Sequence, residues 1–233
     1  MRAKSLLIIF ILPLVLGFTS DNFIGSLDDT PVALVKKIIK DVTYKKAGVS
    51  DWELAKTGLP LKDGEEVKTG SRSLALILFS DGSGLLRVRE NAILHIYGTK
   101  NEKQLNKNTY IDKGLIGFDV KKQGDEEFKF TTPTAVASIR GTAGLVEVDD
   151  NKNTLFLLES GTAELESTSG QKKKGTVTAG NTAKIDTDGN INIGPTSDED
   201  KKKNDQTRSL TTKKVIIKTN RGTVTVEYFS SGN

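Results

Sequence analysis

Acidic side chains are the residues of this sequence best suited to catalysis or metal binding, and none of them completes a site pattern. Asp186-Thr187-Asp188-Gly189-Asn190 begins like a calcium-binding loop, but it lacks the downstream glutamate that such a loop needs as a bidentate ligand. Asp149-Asp150-Asn151 and Asp125-Glu126-Glu127 contain neighbouring carboxylates, yet adjacent residues of a strand point to opposite faces. Paired action on a glycoside is therefore not indicated. We interpret all three segments as turns or loop tips.

The cysteine and histidine content excludes several further kinds of catalytic and metal site. The chain has no cysteine and a single histidine, His95, which excludes disulfides, thiolate catalysis, Cys-based zinc sites and two-His metal sites. His95 stands in an alternating string that is typical of a strand, so a structural or surface role is the simpler interpretation. We therefore predict a protein that is not an enzyme, with no catalytic residue, metal or cofactor. A hydrolase that uses carboxylates on a sheet face stays open as the weakest alternative.

Composition is that of a folded protein. Of 233 residues, 36% are hydrophobic and 27% charged, which argues against wholesale disorder. The formal net charge is +4, and Arg2 and Lys4 lie in the first four residues. Without a clustered basic excess interleaved with aromatic residues, nucleic acid is not expected as a partner.

The first residues have the layout of a secretory signal peptide. Two positive charges precede an apolar run from Ser5 to Phe18, after which polar residues return. This run is short for a bilayer-spanning helix, which needs about 20 apolar residues, and suits the apolar region of a leader. We predict a signal peptide over residues 1–19, followed by an N-terminal segment over residues 20–31. The mature protein is then exported to the periplasm or beyond without a permanent membrane span, although an uncleaved anchor stays open.

The remaining chain reads as short strands separated by turn residues, which predicts an all-β fold. Val32 to Val42 fits helix and strand spacing, and its β-branched residues favour strands. The clearest strand-length runs are 74–79, 85–88, 93–97, 115–120, 128–131, 136–139, 145–148, 155–158, 163–165, 176–178, 182–185 and 190–193. Asp-Gly and similar pairs between the runs supply the positive φ of tight reversals. Because several later strands contain few apolar residues, we expect them to stack as a β-solenoid or β-helix-like fold.

Two C-terminal segments stand apart from this series. Residues 195–206 lack any aliphatic side chain and mix both charge signs, which predicts a charged linker or exposed loop. Within residues 207–233, Lys214 to Lys218 and Thr223 to Tyr228 flank Thr219-Asn220-Arg221-Gly222, which predicts a C-terminal β-hairpin. An isolated hairpin is marginal in water, so it should dock on the same chain or pair with a partner's edge. Self-association through this hairpin is one of the open hypotheses.

Two blocks of the sequence share a recognisable motif pattern. Its residues are Trp52, Gly58, Gly64, Thr69, Gly70, Asp81, Gly82 and Ser83 in the first block, and Pro133, Thr134, Ala135, Val136, Arg140, Gly141 and Thr142 in the second. Together the two blocks resemble the FecR-like domain, the periplasmic part of iron-uptake sensor proteins. The Thr-Pro-Thr-Ala and Arg-Gly-Thr strings are the more specific part. Later strings of the chain fit the family's closing strands, so the expected FecR-like domain spans residues 32–194. Ala143-Gly144 departs from the acidic and aromatic residues that the family often has there.

The resemblance implies a solenoid-like β fold that works by protein contact, without a known catalytic site. Iron-uptake sensors place an anti-sigma domain before their membrane helix, whereas only four residues precede the hydrophobic run here. We therefore expect no direct control of a sigma factor by this chain. The partner would be another envelope protein or a cell-wall polymer. A self-assembling surface protein is the alternative.

Most of these motif residues also have a structural reason that does not depend on the family. Pro133 cannot donate to a strand ladder and should mark a strand start or corner, while Gly141 permits a bend after Ile139. We expect Ile139 to face the core. Arg140 should be partly buried and paired with a carboxylate or carbonyls, and Trp52 should pack into the core as a lid on the first strands. Arg140 and Trp52 are also the two candidates for direct partner contact.

Overall fold

The computed structural model describes residues 30–101, 104–122, 124, 127–170, 172–209, 212–220 and 222–229. The predicted signal peptide, most of the N-terminal segment, and Asp125 and Glu126 lie outside the described residues. Among the residues that are described, no helix is long and apolar enough to span a bilayer.

Strands make up nearly all of the described secondary structure, which confirms the all-β prediction. In chain order they are β1 (Ala33–Ile39), β2 (Val42–Lys45), β3 (Glu53–Leu54), β4 (Pro60–Leu61), β5 (Glu65–Thr69), β6 (Leu74–Phe79), β7 (Gly84–Val88), β8 (Ile93–Asn101), β9 (Gln104–Val120), β10 (Phe128–Thr131), β11 (Ala135–Val148), β12 (Thr154–Ser167), β13 (Lys174–Thr178), β14 (Asn181–Ile185), β15 (Ile191–Pro195), β16 (Thr212–Thr219) and β17 (Gly222–Phe229). One helix, α1 (Asp198–Arg208), lies between β15 and β16.

The first fifteen strands form one hydrogen-bonded sheet that folds over itself into two layers. Layer 1 contains β2, β3, β5, β8, the first part of β9, β10, the first part of β11, the second part of β12, and β13. Layer 2 contains β1, β4, β6, β7, the second part of β9, the second part of β11, the first part of β12, β14 and β15. The division follows from the register, because each half of β9, β11 and β12 pairs with different neighbours.

Three long strands cross from one layer to the other, and a glycine with positive φ marks each crossing. These glycines are Gly114 (φ 103°) in β9, Gly141 (φ 65°) in β11 and Gly161 (φ 80°) in β12. A side chain at Gly161 would lie 2.5 Å from the carbonyl oxygen of Gly141, so the bends of β11 and β12 fit against each other. Only glycine meets both the backbone conformation and the close approach. The bend that the sequence predicted at Gly141 is confirmed.

The core lies between the two layers and is filled by residues that alternate along each strand. The ring centroids of Phe118 in layer 2 and Phe130 in layer 1 are 4.8 Å apart. Those of Phe79 and Phe128 are 4.9 Å apart, and these two rings form an edge-to-face pair. Ile139 is 5% exposed within this cluster, which confirms its inward assignment. Aromatic pairs of this geometry stabilise a core beyond the area they bury.

Pairing among these strands is antiparallel except between β9 and β10. Consecutive strands reverse through short turns such as Asp186 to Asn190, where the Asp186 carboxylate accepts the Asn190 backbone N–H at 2.8 Å. This segment and the tip at Asp149 are turns, as predicted from the sequence. The β-solenoid stacking expected from the sequence is not confirmed, and the described strands pair in parallel only between β9 and β10.

Residues 195–206, predicted as a linker or exposed loop, instead hold most of helix α1. Ser197 caps the helix: its hydroxyl accepts the Asp200 backbone N–H at 3.1 Å and donates to the Asp200 carboxylate at 2.7 Å. Acidic residues fill the first turn and Arg208 lies in the last, which suits the helix dipole. The prediction failed because it required an apolar stripe, whereas this helix docks through small and charged side chains.

Helix α1 lies across the outer face of layer 2. Lys184 of β14 is near Asp200 at 3.8 Å, Lys203 donates to Glu147 of β11 at 2.8 Å, and Arg208 reaches Asp119 of β9 at 3.2 Å. The helix therefore runs from β14 toward β9. Beneath it, Leu145 and Leu157 form a cross-strand pair and are 0% and 3% exposed.

The predicted C-terminal hairpin is present as β16 and β17, which pair antiparallel from Thr212 opposite Phe229 to Thr219 opposite Gly222. These two strands form a sheet of their own, without backbone pairing to the described strands of the body. Of the residues whose side chains are described, Val215, Ile216, Ile217 and Val224 are all exposed.

Candidate contact surface

The first sequence block forms corners of the sheet. Thr69, 1% exposed, donates its hydroxyl to the Arg89 carbonyl and accepts the Ala92 backbone N–H at 3.0 Å. This ties the end of β5 to the turn before β8. Gly58, Gly64 and Gly82 all have positive φ, between 69° and 89°. Gly70 donates its N–H to the Asp41 carbonyl at 2.8 Å, so these residues shape the chain.

Asp81 holds the turn between β6 and β7 to the rest of the body. Its carboxylate accepts the Ser83 backbone N–H at 3.0 Å and the Ser83 hydroxyl at 2.6 Å, and it forms an ion pair with Lys107 of β9. The side chain of Lys107 is fully buried. Burial raises the pKa of Asp81, but the bonds from Lys107 and Ser83 outweigh it, and the pKa lies below its ordinary value.

The second block begins with a cluster of threonine hydroxyls at the corner between β10 and β11. Pro133 lies in this turn, as predicted. Thr154 donates to Thr132 and is itself 2.7 Å from Thr134, while Thr132 accepts the backbone N–H of Ala135 at 3.0 Å. Thr132, Thr134 and Thr154 are each at most 4% exposed. Val136, next in the block, is half-buried on the outer face.

Arg140 and Thr142 flank the bend at Gly141. Arg140 is exposed rather than partly buried, because it alternates along β11 with the buried Ile139 and therefore points to the outer face. Thr142 is 1% exposed and packs against the bend of β12 at Gly161. The motif residues of both blocks, apart from Trp52, Ala135, Val136 and Arg140, therefore lie at turns, bends and strand ends.

Trp52 was predicted to pack into the core. Instead, it lies on the outer face of layer 1 with 36% of its surface exposed. Lys45 and Lys68 place their ammonium groups 5.2 Å and 5.5 Å from its ring centroid. Leu54 of the edge strand β3 stands opposite Thr43 and is 74% exposed. Trp52 therefore packs against Lys45 of β2 and Lys68 of β5 on the outer face.

Three further rings continue this surface across layer 1. His95 of β8 faces Tyr110 of β9 at 5.3 Å in an edge-to-face arrangement and lies parallel to Tyr97 at 6.2 Å. Glu66 of β5, 3.6 Å from the His95 imidazole, also pairs with Lys45 at 2.6 Å. We call Trp52, Leu54, His95, Tyr97 and Tyr110 the aromatic face.

The charges at the edge strand β3 are paired. Glu53 accepts hydrogen bonds from Lys46 and from the Tyr44 hydroxyl, both at 2.9 Å. The Lys46 bond, then the Tyr44 bond, hold the pKa of Glu53 below its ordinary value. Burial, and then the charges of Glu66 and Asp63, raise the pKa of Tyr97, so its phenol stays protonated near neutral pH.

Sequence reasoning identified Trp52 as a contact candidate but missed Tyr97, Tyr110 and the position of His95 between them. The alternation of Ile93, His95 and Tyr97 places three large side chains on one face of β8. That signal was available in the sequence. What it lacked was the partner strand, because only the register of β8 with β9 sets Tyr110 beside His95.

The class of this molecule follows from its fold and its motifs: it is an all-β domain whose signature residues shape corners and bends. Residues 65–164 match the family model described as FecR protein. The resemblance stated from the sequence is thereby confirmed. The comparison with curated proteins found no match.

Two crystal structures of a provisionally assigned anti-sigma factor from Parabacteroides distasonis, at 2.50 Å and 1.65 Å resolution, are similar to this chain. Each is 11% identical, with a TM-score of 0.48, and the likeness covers 56% of this chain. It covers 59% of the other chain, so this chain spans less than two thirds of those proteins.

Proposed function

We propose that this protein is an exported, non-catalytic FecR-domain protein that acts in the cell envelope by binding another protein through the aromatic face. The observation that carries the proposal is the position of Trp52. The only tryptophan of the chain lies exposed on the outer face of layer 1, although a large core was available to it.

The composition of the aromatic face suits protein binding. Tryptophan and tyrosine are enriched among the residues that dominate binding energy, since they bury a large area with few rotatable bonds. Here Trp52 and Tyr97 are exposed, while His95 and Tyr110 are half-buried beside them. The surrounding Lys45, Glu66 and Lys68 resemble the polar rim of an interface.

The charged side chains beside Trp52 limit the kind of protein that the aromatic face can bind. Lys68 is exposed and stands over the Trp52 ring, while Lys45 is shared between that ring and Glu66. A partner that presents an acidic side chain beside an apolar one would complement this arrangement. Binding of this kind weakens as salt concentration rises, because exposed charges are screened beyond about 8 Å at physiological ionic strength.

Export rests on the leader predicted for residues 1–19. The mature chain would then lie in the periplasm or outside the cell. Within that compartment the FecR domain would serve signalling or envelope organisation by contact with its partner. N-terminal sequencing of the protein from fractionated cells tests this part separately, with a start near residue 20 expected.

The binding proposal is tested by photo-crosslinking in intact cells. A photoreactive amino acid replaces Leu54, which is 74% exposed beside Trp52. We expect one discrete protein adduct, identified by mass spectrometry, whose yield falls about tenfold or more in the Trp52→Ala background, as for a residue that dominates an interface.

The matched control places the same photoreactive residue at Lys36, an exposed position of β1 in layer 2, where no such adduct is expected. Circular dichroism and melting of Trp52→Ala must match the parent protein. An adduct with wall polymer alone, or a protein adduct that Trp52→Ala leaves unchanged, would contradict the proposal.

A further inference from the structure

An apolar row crosses the outer face of layer 2, on the opposite side of the molecule from the aromatic face. The register places Pro60, Leu34, Leu78 and Leu85 side by side on the adjacent strands β4, β1, β6 and β7. Leu34 is 38% exposed, Pro60 is exposed, and Leu78 and Leu85 are half-buried. We call these four residues the apolar row.

One end of the apolar row opens into a cavity of about 250 Å³ that Leu78 and Leu85 line together with Ser83, Asp119 and Thr142. Both sequence blocks of the FecR domain contribute to its wall, Ser83 from the first and Thr142 from the second. The row and cavity form a continuous surface that is apolar along its floor and polar at one end.

The C-terminal hairpin carries an apolar face of comparable length. Val215 and Ile217 project from the same side of β16, and Val224 stands opposite Ile217 on β17. These three side chains are 41%, 46% and 51% exposed. A two-stranded hairpin with one apolar face is marginal until that face is covered.

The path of the chain brings the two surfaces together. Helix α1 runs from β14 toward β9, where Arg208 contacts Asp119 at 3.2 Å, and Asp119 stands opposite Leu85 in the register. The chain thus leaves the helix at the end of the apolar row. Residues 209–211 then precede β16, and three residues span roughly 10 Å when extended, about two strand spacings.

The size of the hairpin face indicates that it docks on its own chain and not on a second copy of the protein. Each hairpin strand has 8 residues, so the face measures about 26 Å by 10 Å, or roughly 260 Å². A stable interface between two free proteins buries about 800 Å² on each side. A short tether gives an effective concentration in the millimolar range, so the small face can bind within one chain but not between chains.

We infer that the β16–β17 hairpin docks its Val215, Ile217 and Val224 face on the apolar row of the same chain. In that position the hairpin covers the Leu78 and Leu85 end of the cavity and thereby controls access to the junction of the two FecR blocks. The inference does not depend on the aromatic face, which belongs to layer 1.

Engineered cysteines test this directly, since the chain has no cysteine of its own. The full chain carrying Leu78→Cys and Ile217→Cys is oxidised at low micromolar concentration. We expect a disulfide within one chain, seen as a monomer on non-reducing gels and assigned by mass spectrometry. The control pair Lys68→Cys and Ile217→Cys joins the hairpin to layer 1 and should stay reduced. A disulfide formed only between chains, or none, overturns the inference.

A second measurement uses a milder change. Leu34→Lys places a charge in the apolar row at a position that is already 38% exposed, so the body should fold. We expect trypsin to cut after Lys218 about tenfold faster than in the parent protein, because cleavage follows the open population. Leu54→Lys, a matched exposed leucine on layer 1, should leave the rate unchanged. Equal cleavage in all three proteins would overturn the inference.

Discussion

Thr207 of α1 lies directly on Gly117 of β9: a methyl group at Gly117 would stand 2.6 Å from the Thr207 hydroxyl oxygen and 2.8 Å from its Cβ. Thr207 is fully buried, and its hydroxyl donates to the Asn204 carbonyl at 2.7 Å. The helix therefore approaches the sheet closely at a position where the sheet has no side chain. This contact is the anchor that brings the C-terminal region onto layer 2.

Gly117→Ala should lift α1 from the sheet and destabilise the protein by about 1 to 3 kcal/mol, as overpacking of a close contact does. The measurement is chemical denaturation combined with trypsin cleavage at Lys201 to Lys203, which should accelerate. Gly194→Ala is the matched control, because a methyl group there meets nothing within 4 Å. Unchanged stability and cleavage in Gly117→Ala would show that the helix is not held by this contact.

Asp81→Asn should destabilise the protein by about 3 kcal/mol, the lower end of the cost of breaking a buried ion pair. The side chain of Lys107 is fully buried beside Asp81 and would lose the negative charge of Asp81, while the amide of asparagine can still accept from Ser83. Urea denaturation at neutral pH measures the loss. Glu127→Gln, which removes the exposed partner of Lys129, should change stability by less than about 0.5 kcal/mol.

The Asp81 carboxylate should also make the free energy of unfolding depend on pH. The pKa of folded Asp81 lies below the ordinary 3.8, so its stabilisation is present above the unfolded pKa and is lost as pH falls through the folded pKa. Free energies of unfolding measured from about pH 6 to pH 3 should therefore fall less steeply in Asp81→Asn than in the parent protein. Parallel pH profiles would mean that Asp81 titrates alike in both states.

Thr154→Val keeps the shape of the side chain and removes the hydroxyl that links Thr132 and Thr134. Because those two hydroxyls are buried, we expect a loss of about 1 to 3 kcal/mol from unsatisfied hydrogen bonds. Thr176→Val, at an exposed position of β13, is the control and should lie within about 0.5 kcal/mol of the parent. A neutral Thr154→Val would indicate that the corner is held by packing alone.

Ile139→Asp should destabilise by several kcal/mol, since it places an unpaired charge in the core between the layers. Ser138→Asp is the closest comparison: the neighbouring residue is exposed on the opposite face of the same strand and should tolerate the change. Melting temperatures followed by circular dichroism give both values. Equal melting of the two variants would contradict the two-layer arrangement of β11.

Much of the local structure could be read from the chain. The runs at Leu74 to Phe79 and Phe128 to Thr131 are β6 and β10 without change, because alternation of apolar residues and flanking turn residues are local signals. The runs at 136–139 and 145–148 instead join through Gly141 into the single strand β11. A glycine reads as a break in sequence, whereas here it is a bend that keeps the ladder intact.

Helix α1 and the position of Trp52 are two features that the sequence did not predict. The segment that forms α1 was predicted as a linker or loop because it has no apolar stripe, and nothing in the sequence indicated that a helix would lie on Gly117. Trp52 was expected in the core because large aromatic side chains are usually buried. Its loop instead reaches only the outer face of β2 and β5, a constraint of chain path that composition does not contain.

The sequence by itself determined the all-β class, the turns at its Asp-Gly and Pro corners, the FecR resemblance and the hairpin, since each depends on residues near one another in the chain. Only the tertiary structure decided which halves of β9, β11 and β12 belong to which layer. It also placed Trp52 beside the tyrosines and brought the chain out of α1 at the apolar row. These relationships come from pairing between distant strands, whose register local patterns leave open.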